Sequence, residues 1–376
     1  MSELHKKLSC VYDRFESEIE NQIRNGILKA GDCVISENAA AAKYGISRRS
    51  ARTALEHLVE KGLLFRKPGK GTFVASLRSG SYSELAAHSI ALILPALSDI
   101  FLLMICEGIQ YGVNLYNCSM VIKTANGDAE QENRNIRYAV QQQEDGVIIF
   151  PNSGRVNVAP ILKLKEAKIP FVLIDRKFQD IETDFVGSDN FAGGKMATEY
   201  LIRSGCRKIA HLYGTNGSAN DDRLAGYRRA LADHNIPCDE KLIRRVSDLG
   251  EIQESVRFEP DTISGYRNMK KLLEEKIVPD GVFAGNDYQA LGAIRAIREA
   301  GLKVPDDISV IGFDELKFNP YLETPLTTVR QNQHEIGRHA VEILLSRINQ
   351  PEEHFSPREV IVPVELVIGK TTRKLP

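Results

Sequence analysis

Six cysteines, at 10, 33, 106, 118, 206 and 238, are spread through the 376 residues without a CxxC pair or any metal-ligand spacing. That argues against a disulfide scaffold or a zinc ribbon, and several of the thiols sit inside apolar runs, as reduced and buried cysteines do. No apolar stretch reaches the ~18 residues of a membrane span. The opening MSELHKKLSC holds no apolar run of signal-peptide length. A cytoplasmic protein is expected, with no membrane partner. There is no excess of one charge either: 49 Lys and Arg stand against 50 Asp and Glu, a formal net charge of −1. The common catalytic signatures are missing too, with no GxSxG elbow, no P-loop, no GxGxxG after the first strand candidate and no HExxH. No catalytic residue, metal site or cofactor is expected, and an enzyme is a minor alternative.

What is present is a globular composition, 43% hydrophobic and 26% charged, in a chain long enough for two or three domains. The even charge balance hides a local asymmetry. Between Lys43 and Arg78 the basic residues are Lys43, Arg48, Arg49, Arg52, Lys61, Arg66, Lys67, Lys70 and Arg78, against Glu56 and Glu60. Such a segment suits either a nucleic-acid face or a solvated basic surface. In residues 11–26, Val11, Phe15, Ile19 and Ile23 fall at helical spacing before Gly26. Ser36 is a plausible N-cap for a short helix, ENAAAAKYG, that stops at Gly45. Ser47 then caps a second helix with an apolar stripe of Ala51, Ala54, Leu55, Leu58 and Val59, and with Arg48, Arg49 and Arg52 on or beside its solvent face. Two helices joined by so short a turn make a helix-turn-helix. The strand-like stretch 63–66, the glycine-lysine turn 67–71 and the strand-like stretch 72–75 add a wing.

Ile46-Ser47-Arg48, the helix through Leu58 and the wing GKGTFV make residues 8–76 resemble the GntR family of bacterial regulators. The resemblance implies that Arg48 and Arg52 contact operator DNA and that Gly69, Lys70 and Gly71 bring the wing tip to the minor groove. Ser36, Ser47, Arg49, Ser50 and Thr72 complete the candidate DNA-binding set. Asn38 stands where the family usually has an arginine, which removes one phosphate contact. Arginine in the first turn of a helix works against the dipole by a few tenths of a kcal/mol, while a bidentate Arg–guanine pair discriminates by roughly 1–3 kcal/mol.

After a small, polar linker at 77–88, apolar runs alternate with amphipathic stretches. Strand candidates are 90–94, 119–124, 146–150, 171–174, 208–213, 281–284 and 308–313. Helix candidates are 103–117, 130–143, 193–204, 223–234, 265–276 and 289–300. Alternating βα units mean parallel sheets with helices on both faces. Residues 89–376 are too many for one such sheet, so two lobes are expected. Ligands bind beyond the carboxyl ends of such strands. The residues found there are Ser98 to Phe101, Asn126 to Asp128, Pro151-Asn152, Asp175-Arg176, Tyr213, Asn286-Asp287 and Phe313 to Glu315, with Arg223 beginning a helix nearby. This suits a small polar ligand, sugar or nucleoside, in a cleft. Asp and Asn at strand ends can equally be caps for the helices that follow.

The motifs DGVIIFPN (145–152), IPFVLIDR (169–176), GSDNFAGGKMATEYLIRSGCRKIAHL (187–212), DDRLAGYRRAL (221–231), PDGVFAGND (279–287), KVPDDISVIGFDE (303–315) and PLTTVRQN (325–332) resemble the LacI/GalR effector-binding domain. That domain is similar in fold to the periplasmic sugar-binding proteins. The resemblance implies that Arg223 and Asp314 bind effector hydroxyl or carboxylate groups. It also implies that Asp175 and Asn286 line the cleft with Phe101 stacking on the ligand. Asp99, Arg176 and Asp287 complete the candidate effector set. Residues near 326–350 should return to the first lobe, and a final strand at 360–368 should complete the second. A GntR-type head on such a sensor is the arrangement of the arabinose-utilisation repressors. The expected fold is therefore an N-terminal winged helix (1–76), a linker (77–88) and a two-lobed, periplasmic-binding-protein-like α/β domain (89–376). The expected function is that of a homodimeric repressor released from a near-palindromic operator by a small sugar such as L-arabinose, with a nucleoside or other metabolite as the alternative effector. A secreted solute-binding protein does not fit the DNA head.

Overall fold

The computed structural model describes residues 15, 18, 19, 22, 23, 27–29, 31–60, 63–67, 71–74, 88–152, 158–178, 181–214, 217–245, 261–349 and 356–375. Packing divides the chain into two units, Met1–Leu85 and Ala86–Pro376. The linker expected at 77–88 as far as residue 87, the wing-tip residues Gly69 and Lys70, and the residues Val11 and Gly26 of the first expected helix lie outside the described residues.

In the smaller unit, α1 (Glu37–Tyr44) begins at Ser36, whose Oγ accepts the Ala39 N–H at 3.3 Å. It ends at Gly45, whose φ of 66° is the left-handed conformation that lets the chain turn at once. Ser47 Oγ then accepts the Ser50 N–H at 3.0 Å and starts α2 (Arg48–Glu60). Ala51, Ala54, Leu55 and Leu58 are buried with Phe15, Ile19, Val34 and Ala40 in one apolar cluster. A hairpin follows, β1 (Leu64–Lys67) antiparallel to β2 (Gly71–Val74). The stretch around Cys33 also pairs with β2, through a bridge to Phe73 and bonds from Gly31 and Val34 to Val74 and Thr72. No pattern announced it, because Gly31-Asp32-Cys33-Val34 is too short and too polar to alternate.

The larger unit holds two six-stranded sheets. The first contains β3 (Ser89–Leu94), β4 (Ser119–Thr124), β5 (Gly146–Ile149), β6 (Phe171–Ile174), β7 (Asp184–Ser188) and, from the far end of the chain, β13 (Glu359–Val362). Their order is β13-β7-β6-β5-β3-β4, and all are parallel. The second contains β8 (Ile209–Leu212), β9 (Ile243–Arg244), β10 (Gly281–Ala284), β11 (Ser309–Asp314), β12 (Thr327–Arg330) and β14 (Glu365–Val367). Its order is β14-β12-β11-β10-β8-β9, with β14 alone antiparallel. The central strands are apolar and buried along their length, as strands covered on both faces must be.

Helices cover both sheets: α3 (Ile100–Leu115), α4 (Ala129–Gln141), α5 (Val158–Glu166), α6 (Asn190–Arg203), α7 (Ser218–Asp233), α8 (Asp261–Glu274), α9 (Asp287–Glu299) and α10 (Gln333–Asn349). α10 packs on the first lobe's core through Ile336, Ala340, Val341 and Leu344, so the return expected near 326–350 begins only after β12, which stays in the second sheet. Most helices begin earlier than hydrophobic spacing placed them. Asp99, Asp128, Asp189 and Asn286 cap four of them, and the cap rather than the first regularly spaced apolar residue sets each start.

The chain passes between the lobes after β7, after β12 and after β13. The last passage corrects the expectation of one strand at 360–368. β13 belongs to the first sheet and β14 to the second. Pro363 between them has no N–H to continue a ladder, and the chain changes sheet at that point. The helix pair α6–α7 packs backbone to backbone: a Cβ on Gly194 would lie 2.2 Å from the Arg223 carbonyl oxygen, and one on Gly226 2.2 Å from that of Phe191. This close approach seats Arg223 against the second sheet.

Candidate functional site

In the smaller unit, Arg48, Arg49 and Arg52 are exposed on α2 while its apolar stripe is buried. Arg48 Nε meets Glu37 Oε2 at 3.4 Å, and Arg52 Nε meets Glu56 Oε1 at 2.9 Å. Ser36 and Ser47 are exposed caps, and Ser50 Oγ lies 2.8 Å from Ser47 Oγ. Gly71 opens β2 at a φ of 116°, followed by Thr72. The exposed start of α2 is thus cationic, with no acidic residue in its first turn.

In the larger unit, a partly open cleft lies between the lobes, with about 470 Å³ of space that includes open solvent. Asp99, Phe101, Phe150, Asp175 and Arg176 form the first-lobe wall; Ala219, Asn220, Arg223, Asp261, Asn286 and Asp314 form the second. The lobes also touch beside it. The Lys177 N–H donates to Ser218 Oγ at 3.0 Å, Lys317 Nζ reaches Glu107 at 2.6 Å, and Leu316 is buried in the first lobe's core.

Arg223 organises the second wall. It lies inside α7, not at its start as the sequence suggested, because the helix already begins at Ser218. Its Nε donates to Asn190 Oδ1 at 2.8 Å, its Nη1 donates to the Gly285 carbonyl at 2.5 Å, and its guanidinium stacks 3.7 Å from the Phe313 ring centroid. Nη2 stands 3.9 Å from Asp314 Oδ1. Asp314 sits at a φ of 115°, a conformation that costs roughly 1–3 kcal/mol and persists only where neighbours enforce it. Gln331 and Gln333, on the second passage between lobes, do so by donating to its carboxylate at 2.5 Å and to its carbonyl at 2.8 Å. Burial pushes the Asp314 carboxyl well above the usual range, with Arg223 opposing the shift.

On the first wall, Asp175 also has a left-handed φ, 61°. Arg176 Nε lies 3.6 Å from its Oδ2, while Asp175 Oδ1 is buried without a hydrogen-bond partner among the described residues. Burial raises this carboxyl too, against Arg176 and Arg223. Arg176 is held by the carbonyl of Asn152 at 2.6 Å and lies over the Phe150 ring at 5.1 Å. Asp99 accepts the Phe101 N–H at 2.9 Å, and burial pushes its carboxyl up to about 6. Asp99 and Asn286 therefore cap helices and line the cavity at once.

Seven of the eight residues proposed from sequence for the cleft line it together. Asp287 does not: its carboxylate accepts the Leu316 N–H at 2.9 Å and the Thr328 hydroxyl at 2.6 Å, and so supports the turn that presents Asp314. Phe150, Ala219, Asn220 and Asp261 were missed. Phe150 directly precedes Pro151-Asn152 and could have been found by the strand-end rule; Asp261 precedes its helix's apolar spacing and follows no strand among the described residues.

Residues 11–74 match the gntR family of bacterial regulatory proteins, and residues 198–372 match the periplasmic binding protein-like domain. The chain is 28% identical to the arabinose metabolism transcriptional repressor of Geobacillus stearothermophilus over 97% of this chain and 98% of that one. It is 30% identical to the ribose operon repressor of Escherichia coli K12 over 80% of this chain and 90% of that one. A crystal structure of a LacI family transcriptional regulator from Enterococcus faecium with bound ribose superposes with a TM-score of 0.64 at 28% identity, over 77% of this chain and all of that one. The dimeric Lac repressor with an 11-residue C-terminal deletion superposes at 0.63 with 25% identity, over 76% and 98%. Exposed arginines on a winged helix, a polar cleft between two parallel-sheet lobes and these likenesses converge, and the chain belongs to the LacI-type transcriptional repressors that carry a GntR-type DNA-binding head.

Proposed function

We propose that the effector of this repressor is a small uncharged sugar, with L-arabinose the first candidate, bound in the cavity between the lobes. The observation that carries this reading is the composition of the cavity wall: Asp99, Asp175, Asp261 and Asp314 outnumber Arg176 and Arg223. Carboxylates accept hydrogen bonds and repel anions, so a donor-rich polyol suits the wall better than a sugar phosphate or a carboxylic acid. Phe101 and Phe150 offer apolar faces to a ring's C–H bonds. Likeness to repressors named for arabinose and ribose supports the same class.

On this reading Arg223, Asp314, Asp175, Arg176, Asp99, Asn286 and Asp261 hold the sugar, and Phe101 packs on it. Arg48 and Arg52 read operator bases, with Ser36, Ser47, Arg49, Ser50, Gly69, Lys70, Gly71 and Thr72 toward the backbone. The domain division is 1–76, 77–88 and 89–376. The protein acts in the cytoplasm as a homodimer, whose two-fold symmetry matches a near-palindromic operator, and it needs no catalytic step. Effector binding lowers operator affinity through a coupling typical of allosteric proteins, about 1–3 kcal/mol.

A thermal-shift screen against pentoses, hexoses, their phosphates and nucleosides tests the reading, because a ligand that binds only the folded state raises its melting temperature. Neutral sugars should stabilise and phosphates should not. Stabilisation by a nucleoside or a sugar phosphate alone would overturn it. An operator-binding titration with the stabilising sugar should show weaker binding.

A further inference from the structure

Asp261 is a cleft residue without a signal in the sequence, and its surroundings fix its hydrogen-bonding polarity. Asn286 caps α9, with its Oδ1 accepting the Gln289 N–H at 2.9 Å. That bond commits the amide oxygen to the helix, so Nδ2 must face the other way. Nδ2 donates to Asp261 Oδ2 at 2.5 Å. No other hydrogen bond among the described residues reaches either side chain, and both line the cavity. One Asn286 N–H and one Asp261 oxygen are therefore available to a ligand, side by side.

A donor beside an acceptor matches a hydroxyl group, which accepts one hydrogen bond and donates another. An ether oxygen could use only the N–H, and an anionic oxygen would meet the Asp261 carboxylate. Asp99 stands on the opposite wall, with Oδ1 taken by the Phe101 N–H. A ligand between the walls thus meets carboxylate acceptors from both lobes.

We propose that Asp261 and Asn286 form a hydroxyl-reading pair, which makes Asp261 a specificity-determining residue for the effector. The proposal rests on the sugar reading of the cleft. A merely structural Asp261 would only begin α8, where its carbonyl accepts the Ser264 hydroxyl at 2.8 Å. That role predicts lost stability with unchanged ligand choice.

The test is titration calorimetry on the full chain with L-arabinose, D-ribose, D-xylose and D-galactose, followed by the monodeoxy analogues of the tightest binder. Wild type, Asp261→Ala and the near-isosteric Asp261→Asn are compared, with thermal unfolding as the check on folding. Wild type should reject one deoxy analogue by tenfold or more, because a site built around a hydroxyl leaves its own polar groups unpaired without it. In Asp261→Ala that ratio should fall towards one while the ratios for the other analogues persist, and Asp261→Asn should weaken the same discrimination. If every analogue weakens by one common factor, or none changes in either variant, the pair is not a reader and the proposal is overturned. Failure of wild type to bind any of the four sugars would instead remove the sugar reading, and the proposal with it.

Discussion

Arg223 donates its Nε to Asn190 at 2.8 Å, so the buried guanidinium of the cleft is fastened to the segment on which the chain first enters the second lobe. Asp314, facing Arg223, is fastened in turn by Gln331 and Gln333 where the chain leaves that lobe. A ligand that engages this pair acts directly on two of the three connections between the lobes.

Arg223→Gln is expected to preserve operator binding and abolish release by the effector. Loss of hydrogen bonds to a charged group is worth about 1.5–3 kcal/mol, a decrease in effector affinity of roughly 10- to 100-fold. Asn190→Ala should give a smaller loss in the same direction, since it leaves a buried donor unpaired. Calorimetry and an operator gel shift on each variant check this. Normal induction of Arg223→Gln would place the effector elsewhere.

Arg48→Ala and Arg52→Ala are expected to do the reverse. Either substitution should weaken specific operator binding by about 1–3 kcal/mol, the worth of a good base-reading pair, with a smaller effect on nonspecific DNA and none on effector affinity. Competition binding at one fixed salt concentration separates the two kinds of role, because an arginine that touched only phosphate would serve specific and nonspecific DNA alike.

His211 makes one acid-sensitive contribution to the stability of the sensor domain. It is fully buried in β8, with Nδ1 3.0 Å from the Phe283 carbonyl and its ring stacked 4.6 Å from that of Phe283. Burial pushes its imidazolium down to about 4, from the ordinary value of 6.5. Between these values the unfolded chain holds a proton that the folded chain lacks. The stability His211 contributes is thus fully present above about pH 6.5 and is lost as pH falls to 4, at most about 3 kcal/mol. Asp99 and Asp287, raised to about 6 and about 7, pull the opposite way and favour the folded state at lower pH. The measurement is therefore the difference in melting temperature between wild type and His211→Phe, which should shrink as pH is lowered from 7 to 4.5. A difference independent of pH would contradict the buried neutral ring.

Gly226→Ala should destabilise the sensor by about 1–3 kcal/mol, as overpacking does, because the new methyl meets the Phe191 carbonyl on the facing helix. Effector affinity should fall as well, since α7 carries Arg223. Thermal unfolding and calorimetry on one preparation report both effects.

The helix-turn-helix and most core strands were legible because their signals are local. Gly45, the caps Ser36 and Ser47, and the unbroken apolar runs at 171–174 and 281–284 need no distant partner to be recognised. β7 and β12 were not, because Asp184 and Thr327 to Arg330 are polar on paper and become strands by pairing with neighbours already in place. Asp184 is tolerated there by Arg347, which binds it in a buried ion pair at 2.8 Å from 163 residues away. The cleft was legible at strand ends, where position alone marks a residue. Asp287 departed from the expectation because the rule cannot tell which of two adjacent polar residues faces the cavity. Asp261 was silent because its neighbour Asn286 lies 25 residues further on.

The three passages between lobes also govern how the domain comes into being. The first sheet awaits β13 at its edge, and the second awaits β14, both later in the sequence than every other strand described. Neither lobe is a continuous stretch, so a nascent chain that lacks β13 and β14 would leave β7 and β12 as the edges of their sheets. For this sensor, synthesis of the final strands finishes both halves together, and a truncated product would be incomplete in each.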